Sequence, residues 1–425
     1  MTDDTRIGVD VGGTFTDVVT VHEGRVNVTK TPSTPDSPER GVVNGLRKAR
    51  SGFDFSDISF LSHGTTVATN AALEGEWADT ALVTTQGFRD ALEIGRQARP
   101  DIYDFQVEKA PPIVERDKRF EVEERLDEKG NVVMPLDEGS IRSVAEKIKE
   151  KDVESVAVCL LFSFENEDHE RRVKDILEEE LDTSFSISTE ALPEIREYER
   201  TLTTCLNAGL KPVIDDYLGE LESEKNDLGI PSSLKIMQSN GGIITSEAAR
   251  QRPVNTLLSG PAAGVQGATY IASLCGIDDI ITMDMGGTSC DVSLVQDRDP
   301  IISTEVEVGD YPVGVPMIDI HTIGSGGGSI AWIDKGDALR VGPRSAGADP
   351  GPICYDRGGD KPTITDAHVL LGRLDPEGFA PGSSYASRET IRGVLEDEIA
   401  HPLGMDATEA AQGIIDIANA NMERA

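Results

Sequence analysis

Ile7-Gly8-Val9-Asp10-Val11-Gly12-Gly13-Thr14-Phe15-Thr16-Asp17 stands near the start of the chain, and Ile281-Thr282-Met283-Asp284-Met285-Gly286-Gly287-Thr288-Ser289-Cys290-Asp291 repeats it. The two stretches agree at the isoleucine, the first aspartate, both glycines, the threonine and the last aspartate. In the first, an apolar strand runs into a glycine turn and a second strand, Val18 to Val21, follows, which predicts a β-hairpin. The copies lie too far apart for the tandem period of a solenoid. They predict two domains that carry equivalent loops.

The residue types in the loop define its chemistry. Asp10 and Asp284 each sit at the end of a strand and offer a carboxylate to Mg²⁺ or to a water, because hard cations take oxygen ligands. Gly12, Gly13, Gly286 and Gly287 let backbone N–H groups approach phosphate oxygens closely, and Thr14 and Thr288 add hydroxyl donors. A single loop of this kind is explained as well by a structural hairpin. Two copies in separate domains point to a cleft in which both loops grip the phosphates of one nucleotide. Asp17 and Asp291 are more readily turn caps.

The remainder of the chain supplies an α/β frame. Asp137 is a good N-cap, and Ile141, Val144, Ala145 and Ile148 share one helical face behind it. The apolar run Ser155 to Phe162 predicts a buried strand, and Val173, Ile176, Leu177 and Leu181 a second amphipathic helix. Further strands are expected at Leu234 to Met237 and Ile280 to Met285, with a small-residue helix from Ala262 to Leu274 between them. This order predicts a first domain over 1–195 and a second over 196–425.

Composition narrows the function classes. The 425 residues hold 76 Asp+Glu against 40 Lys+Arg, a formal net charge of -36, so nucleic acid and anionic membranes are not expected partners. The acid is spread along the whole chain, which predicts a solvated acidic surface and is consistent with a high-salt cytoplasm. No secretory signal or membrane span is visible, and the five scattered cysteines suit a reducing, cytoplasmic compartment.

The paired loops, with Ser259-Gly260-Pro261-Ala262-Ala263-Gly264 just before the second, resemble the actin, sugar-kinase and heat-shock ATPase superfamily. The resemblance implies two ribonuclease-H-like domains around a nucleotide cleft, with Gly260 among the nucleotide contacts. A closer resemblance is to the hydantoinase A/5-oxoprolinase family. It is carried by Ser62 to Asn70, Gly87 to Asp90, Ile94 to Gln97, Arg196 to Thr201, Ser239 to Gly242, His321 to Gly324, Gly326 to Ser329, Gly342-Pro343, Ser345 to Pro352 and Thr363 to Asp366. It implies an ATP-dependent enzyme that phosphorylates the oxygen of a cyclic amide such as hydantoin, N-methylhydantoin or 5-oxoproline, together with a hydantoinase B-like subunit. Family members look longer, which implies that the second domain is incomplete at its C-terminus and that the adenosine contact lies elsewhere. Relatives in this family also include acetone and acetophenone carboxylase subunits. A non-enzymatic, nucleotide-switched module is the third expectation.

Single residues complete the list of candidates. His63, ahead of Gly64-Thr65-Thr66, either polarises a substrate carbonyl or is structural. Arg89 and Arg96 either hold an anion or form surface ion pairs. Asp319 and His321 share a strand face and, with Asp349 and Asp366, are candidate ligands of a second divalent metal. The loop Gly324 to Ser329 either holds an anion or is a tight inter-domain turn. Cys290 corresponds to Thr16 in the repeat, which argues against a nucleophilic role.

Overall fold

The computed structural model describes residues 4–12, 15–34, 37–98, 106, 109–347, 349–375 and 385–424. The chain divides into two compact units, 1–263 with 302–318, and 264–301 with 319–425. The α/β class expected from the sequence holds in both.

In the first unit, β1 (Thr5–Val11), β2 (Phe15–His22), β3 (Arg25–Pro32) and β4 (Ile58–Thr65) lie in a six-stranded sheet with the strands Leu234–Met237 and Ile243–Thr245. β1, β2 and β3 are antiparallel neighbours, whereas β4 runs parallel to β1 on its other side. A second, fully parallel sheet is made of Ser184–Ile187, Ser155–Cys159, Thr80–Thr85 and Arg119–Val122. One apolar core contains residues of the first sheet together with α1 (Pro38–Ala49), α2 (Val67–Glu74) and the helix Glu197–Asp227. The helices Glu138–Lys149 and Asp168–Glu180 build a separate core with the second sheet. Asp137 caps the former by accepting from Gly139 N–H at 2.9 Å, and Ile141, Val144, Ala145 and Ile148 are its buried residues.

The expected boundary at residue 195 falls inside this unit. Helix Glu197–Asp227 is buried along Arg200–Leu210 and packs on Ser155–Cys159 and Ser184–Ile187. Arg200 fixes it there, donating to Leu160 O at 2.7 Å and to Ser163 Oγ at 2.5 Å. The buried first part of this helix stays with the sheet that covers it.

The second unit begins within the helix Ser259–Leu274. Its sheet pairs Ile280–Met285 with Cys290–Gln296, which pairs in turn with Ile320–Ile323, all antiparallel. A further hairpin, Ser329–Ile333 with Leu339–Ser345, shares an apolar core with the helices Ile364–Leu370, Arg388–Leu395 and Ala407–Met422. Among the described residues no helix is long and apolar enough to cross a membrane.

Candidate functional site

The two copies of the repeat fold in the same register. Arg6↔Val21 through Val11↔Thr16 in β1 and β2 correspond pair for pair to Ile280↔Val295 through Met285↔Cys290. Asp10 therefore faces Asp17 as Asp284 faces Asp291. The turns close alike: Gly12 N–H donates to Phe15 O at 3.0 Å, and Gly286 N–H to Ser289 O at 2.9 Å. Both leading aspartates are exposed at the ends of their strands.

Around Asp10 the backbone comes close because side chains are missing. Asp10 is registered against Gly64 of β4, and a Cβ at Gly64 would stand 2.9 Å from Asp10 Oδ1, so only glycine leaves room for that carboxylate. A Cβ at Gly260 would lie 3.5 Å from the same oxygen, so Asp10 and Gly260 are brought together. Ser259 Oγ holds this helix start by donating to Thr65 O at 3.0 Å, and Leu258 N–H donates to Thr69 Oγ1 at 2.8 Å. A carboxylate beside a helix N-terminus is electrostatically favoured. Gly12 is tied from behind by Ser33 Oγ, which donates to its carbonyl at 2.7 Å. Gly13 and Thr14 lie outside the described residues.

The loop of the second unit is braced by the Gly324–Ser329 segment. Gly327 N–H donates to Gly286 O at 2.9 Å and Gly328 N–H to Gly287 O at 2.6 Å, while Thr365 N–H and Oγ1 each donate to Gly327 O at 2.8 Å. A Cβ at Gly326 would stand 2.6 Å from backbone atoms of Gly287, Thr288 and Ser289. The glycine triplet is therefore a brace between backbones inside the second unit, where an anion site or an inter-domain turn was expected. It engages the loop's carbonyls, and among the described residues no acceptor takes the N–H groups of Gly287, Thr288 and Ser289. Those donors, on exposed Gly287 and Thr288, suit phosphate oxygens. Behind them, Thr322 Oγ1 donates to Asp291 Oδ1 at 2.7 Å, whereas burial and the nearby Asp284 charge hold the Asp291 carboxyl above its usual range.

His63 is placed in the core, 1% exposed. Its Nδ1 lies 3.3 Å from Val9 O and its Nε2 2.6 Å from the Tyr217 hydroxyl. A carbonyl only accepts, so Nδ1 carries the proton and Nε2 accepts from Tyr217. Burial lowers its pKa to about 4, so the ring is neutral near pH 7. Both nitrogens are spent on the fold, and the structural alternative for His63 fits this placement.

The second-metal expectation does not match the geometry. Among the described residues no three His, Cys, Asp or Glu side chains come together as a metal group. Asp319 and His321 are exposed beside and in the strand Ile320–Ile323. Asp366 is instead buried, and its carboxylate accepts from Ile353, Cys354 and Thr363 N–H and from Thr363 Oγ1, capping a helix. Spent as a cap, it has no role left as a ligand. Taken singly, an exposed strand-end carboxylate such as that of Asp10, or that of Asp284, is of the kind that binds Mg²⁺, which takes one or two carboxylates with phosphate oxygens and water completing its shell. Cys290 is buried, and burial raises its thiol pKa, in keeping with a structural role.

Arg96 is an ion-pair residue here, its Nε donating to Glu199 Oε1 at 2.5 Å. It lines a cavity of about 510 Å³ in the first unit with Arg196, Glu199, Glu305 and Gly314. Arg196, just before the long helix, has φ +81°, which the sequence pattern does not signal.

Comparison with known proteins bears on the family and on the fold. Residues 6–181 match the model of the hydantoinase/oxoprolinase N-terminal region, and residues 200–425 that of hydantoinase/oxoprolinase. The chain is 38% identical to the caprolactamase subunit alpha of Pseudomonas jessenii over 98% of its own length and 61% of the relative's. The crystal structure of that ATP-dependent caprolactamase superposes with a TM-score of 0.88, covering 98% of this chain and 62% of the other. Identity is 35% to the acetophenone carboxylase gamma subunit of Aromatoleum aromaticum, over 99% and 60% of the two chains. It is 34% to the 5-oxoprolinase of Saccharomyces cerevisiae, over 99% and 36%. The chain thus spans about three-fifths or less of the length of these relatives.

Proposed function

Because the chain belongs to the hydantoinase/oxoprolinase family, we propose that it is the ATP-handling part of an enzyme that hydrolyses a cyclic amide. The observation that carries this reading is the pair of hairpins, identical in register, each ending a strand on an exposed aspartate and turning on glycine. Each hairpin would open a ribonuclease-H-like domain, and both would serve one nucleotide. Relatives named for caprolactam and 5-oxoproline support a cyclic amide as substrate.

An amide carbon is shielded from water by resonance with its nitrogen. In the proposed reaction the amide oxygen takes the γ-phosphoryl group of ATP, leaving ADP; the activated carbon then accepts water, phosphate departs, and the C–N bond opens. One cyclic amide, one ATP and one water become an open-chain amino compound, ADP and phosphate. Asp10 and Asp284 would hold Mg²⁺, which when bound neutralises charge on the transferring phosphoryl group. The N–H groups of Gly287 and Thr288, and by the repeat those of Gly13 and Thr14, would orient the phosphates. A hydantoinase B-like subunit would complete the assembly, and several relatives are themselves named as subunits.

The similarity to an acetophenone carboxylase subunit favours a second reading, in which the phosphorylated oxygen belongs to a ketone and the carbon nucleophile attacks bicarbonate-derived carbon. Phosphate release by the purified assembly separates the two. Stimulation by 5-oxoproline, caprolactam or hydantoins is expected; stimulation only by a ketone with bicarbonate would replace the first reading by the second. Undiminished ATP turnover in Asp10→Asn combined with Asp284→Asn would sink both.

A further inference from the structure

The cavity of about 510 Å³ lies wholly within the first unit and shares no lining residue with the hairpins of Asp10 and Asp284. Arg96 follows the strand Thr80–Thr85, and Leu192, Arg196 and Glu199 follow Ser184–Ile187, so two chain segments reach the cavity from the carboxyl ends of the fully parallel sheet. From Thr80–Thr85 the chain passes to Arg119–Val122 on one side and then to Ser155–Cys159 on the other, the reversal of strand order outside which open α/β sheets bind small molecules. The antiparallel pair Val306–Val308 and Tyr311–Val313 supplies the remaining wall. Apolar and charged groups alternate around it. Leu192 and Val313 are 5% and 1% exposed. Arg96 and Glu199 form a closed pair at 2.5 Å. Arg196 and Glu305 do not, because their nearest atoms are 3.7 Å apart, too far to hydrogen-bond, and their side chains are 57% and 83% exposed. Arg196 is held in this place at φ +81°, a conformation that costs an arginine energy and that recurs at ligand clamps.

We propose that this cavity binds the zwitterion of a small amino acid, its carboxylate accepting from the Arg196 guanidinium and its ammonium donating to the Glu305 carboxylate. Charge balance selects the class. With Glu194 and Glu307 the wall carries more carboxylates than guanidiniums, so a simple anion meets net repulsion. A simple cation would face the Arg196 guanidinium. A zwitterion satisfies both members of the open pair with charge-assisted hydrogen bonds, and its carbon chain lies against Leu192 and Val313. Opening a cyclic amide yields a molecule of this kind, an amine and a carboxylate on one carbon chain, so the cavity is a product site. That last assignment rests on the cyclic-amide reading, whereas the ligand class rests on the cavity wall.

Calorimetric titration of the 425-residue protein at fixed ionic strength tests it. The probes are ω-aminohexanoate, with its charges at opposite ends, and norleucine, with both on one carbon; hexanoate and hexylamine carry a single charge each. At least one amino acid is expected to bind at least about tenfold more tightly than either singly charged compound. Arg196→Gly, which suits the positive φ, and Glu305→Gln are each expected to weaken that binding at least about tenfold, with the circular dichroism spectrum unchanged. Glu305 is an exposed side chain, so its substitution keeps the test standing if Arg196→Gly fails to fold. No binding of either amino acid overturns the proposal. Equal affinity for hexanoate or for hexylamine overturns the zwitterion, and affinity unchanged by either substitution overturns the pairing with Arg196 and Glu305. The titration uses neither ATP nor phosphate release, so failure of the cyclic-amide reading in its own assay leaves these outcomes unchanged.

Discussion

The hairpin of β1 and β2 and the hairpin of Ile280–Met285 and Cys290–Gln296 have the same register and the same turn hydrogen bond, yet one is sealed in a core and the other faces solvent. Equivalent sequence therefore produces equivalent local geometry without producing equivalent burial. The hairpin is set by glycine at the turn and by alternation along the strands. Burial is set by whatever packs on top, and here that comes from outside the repeat.

The sharpest way to break the comparison is to place a charge at the same position in each copy. Val9→Glu is expected to unfold the first unit, a loss above about 4 kcal/mol, because an isolated carboxylate cannot be buried unpaired. Circular dichroism and urea unfolding measure it, and a folded Val9→Glu protein would show that β1 is not the inner strand described. Gly326→Ala should cost about 3 kcal/mol in unfolding of the second unit, since its methyl group collides with backbone atoms on the braced loop. Asp10→Asn and Asp284→Asn keep the shape and remove the charge. Each is expected to lower ATP turnover about a hundredfold in the complete assembly while the urea midpoint stays put. A large effect for one and none for the other would show that the two loops do not share a role.

His63 gives a pH test of the sealed copy. Its pKa is near 4 folded and about 6.5 unfolded, so the unfolded state binds more protons between these values. Its stabilisation is complete above the unfolded value and is lost as pH falls toward the folded one, by about 2 kcal/mol near pH 4.5. His63→Gln should flatten that part of the pH dependence of the urea midpoint; an unchanged slope would show that another group carries it. The smallest effect belongs to the open copy. Met283→Glu in the 425-residue chain should shift stability by less than about 0.5 kcal/mol, as at ordinary surface sites.

Much of the local structure is legible in the sequence. The Asp137 cap, the buried face of the helix it starts, and the strands Leu234–Met237 and Ile280–Met285 all follow from short-range pattern. The strand expected to run from Ser155 to Phe162 stops at Cys159, where Ser163 and Arg200 take up the Leu160 carbonyl. The C-terminal helix Ala407–Met422 starts behind the Asp406 capping box, a local Asp-x-x-Glu pattern. The long helix Glu197–Asp227 escapes a pattern reading because Gly209 and Pro212 stand within it. Its burial on a sheet is what keeps it in the first compact unit, with 1–263 and 302–318.

The candidate site divides in the same way. Asp10, Asp284 and their glycines can be named from the repeat alone, because a strand-end carboxylate beside a glycine turn is a local arrangement that residue types specify. The neutral, core-bound state of His63 and the bracing of Gly286 and Gly287 by Gly327 and Gly328 cannot be. Each depends on a partner remote in the chain: Tyr217 lies 154 residues from His63. Sequence by itself determined the twin glycine-turn hairpins, the α/β class and the acidic composition, all consequences of neighbouring residues or composition. Only the tertiary structure decided which side chains are sealed, which carboxylates are already occupied and which strand is left open, because those outcomes belong to contacts between distant segments.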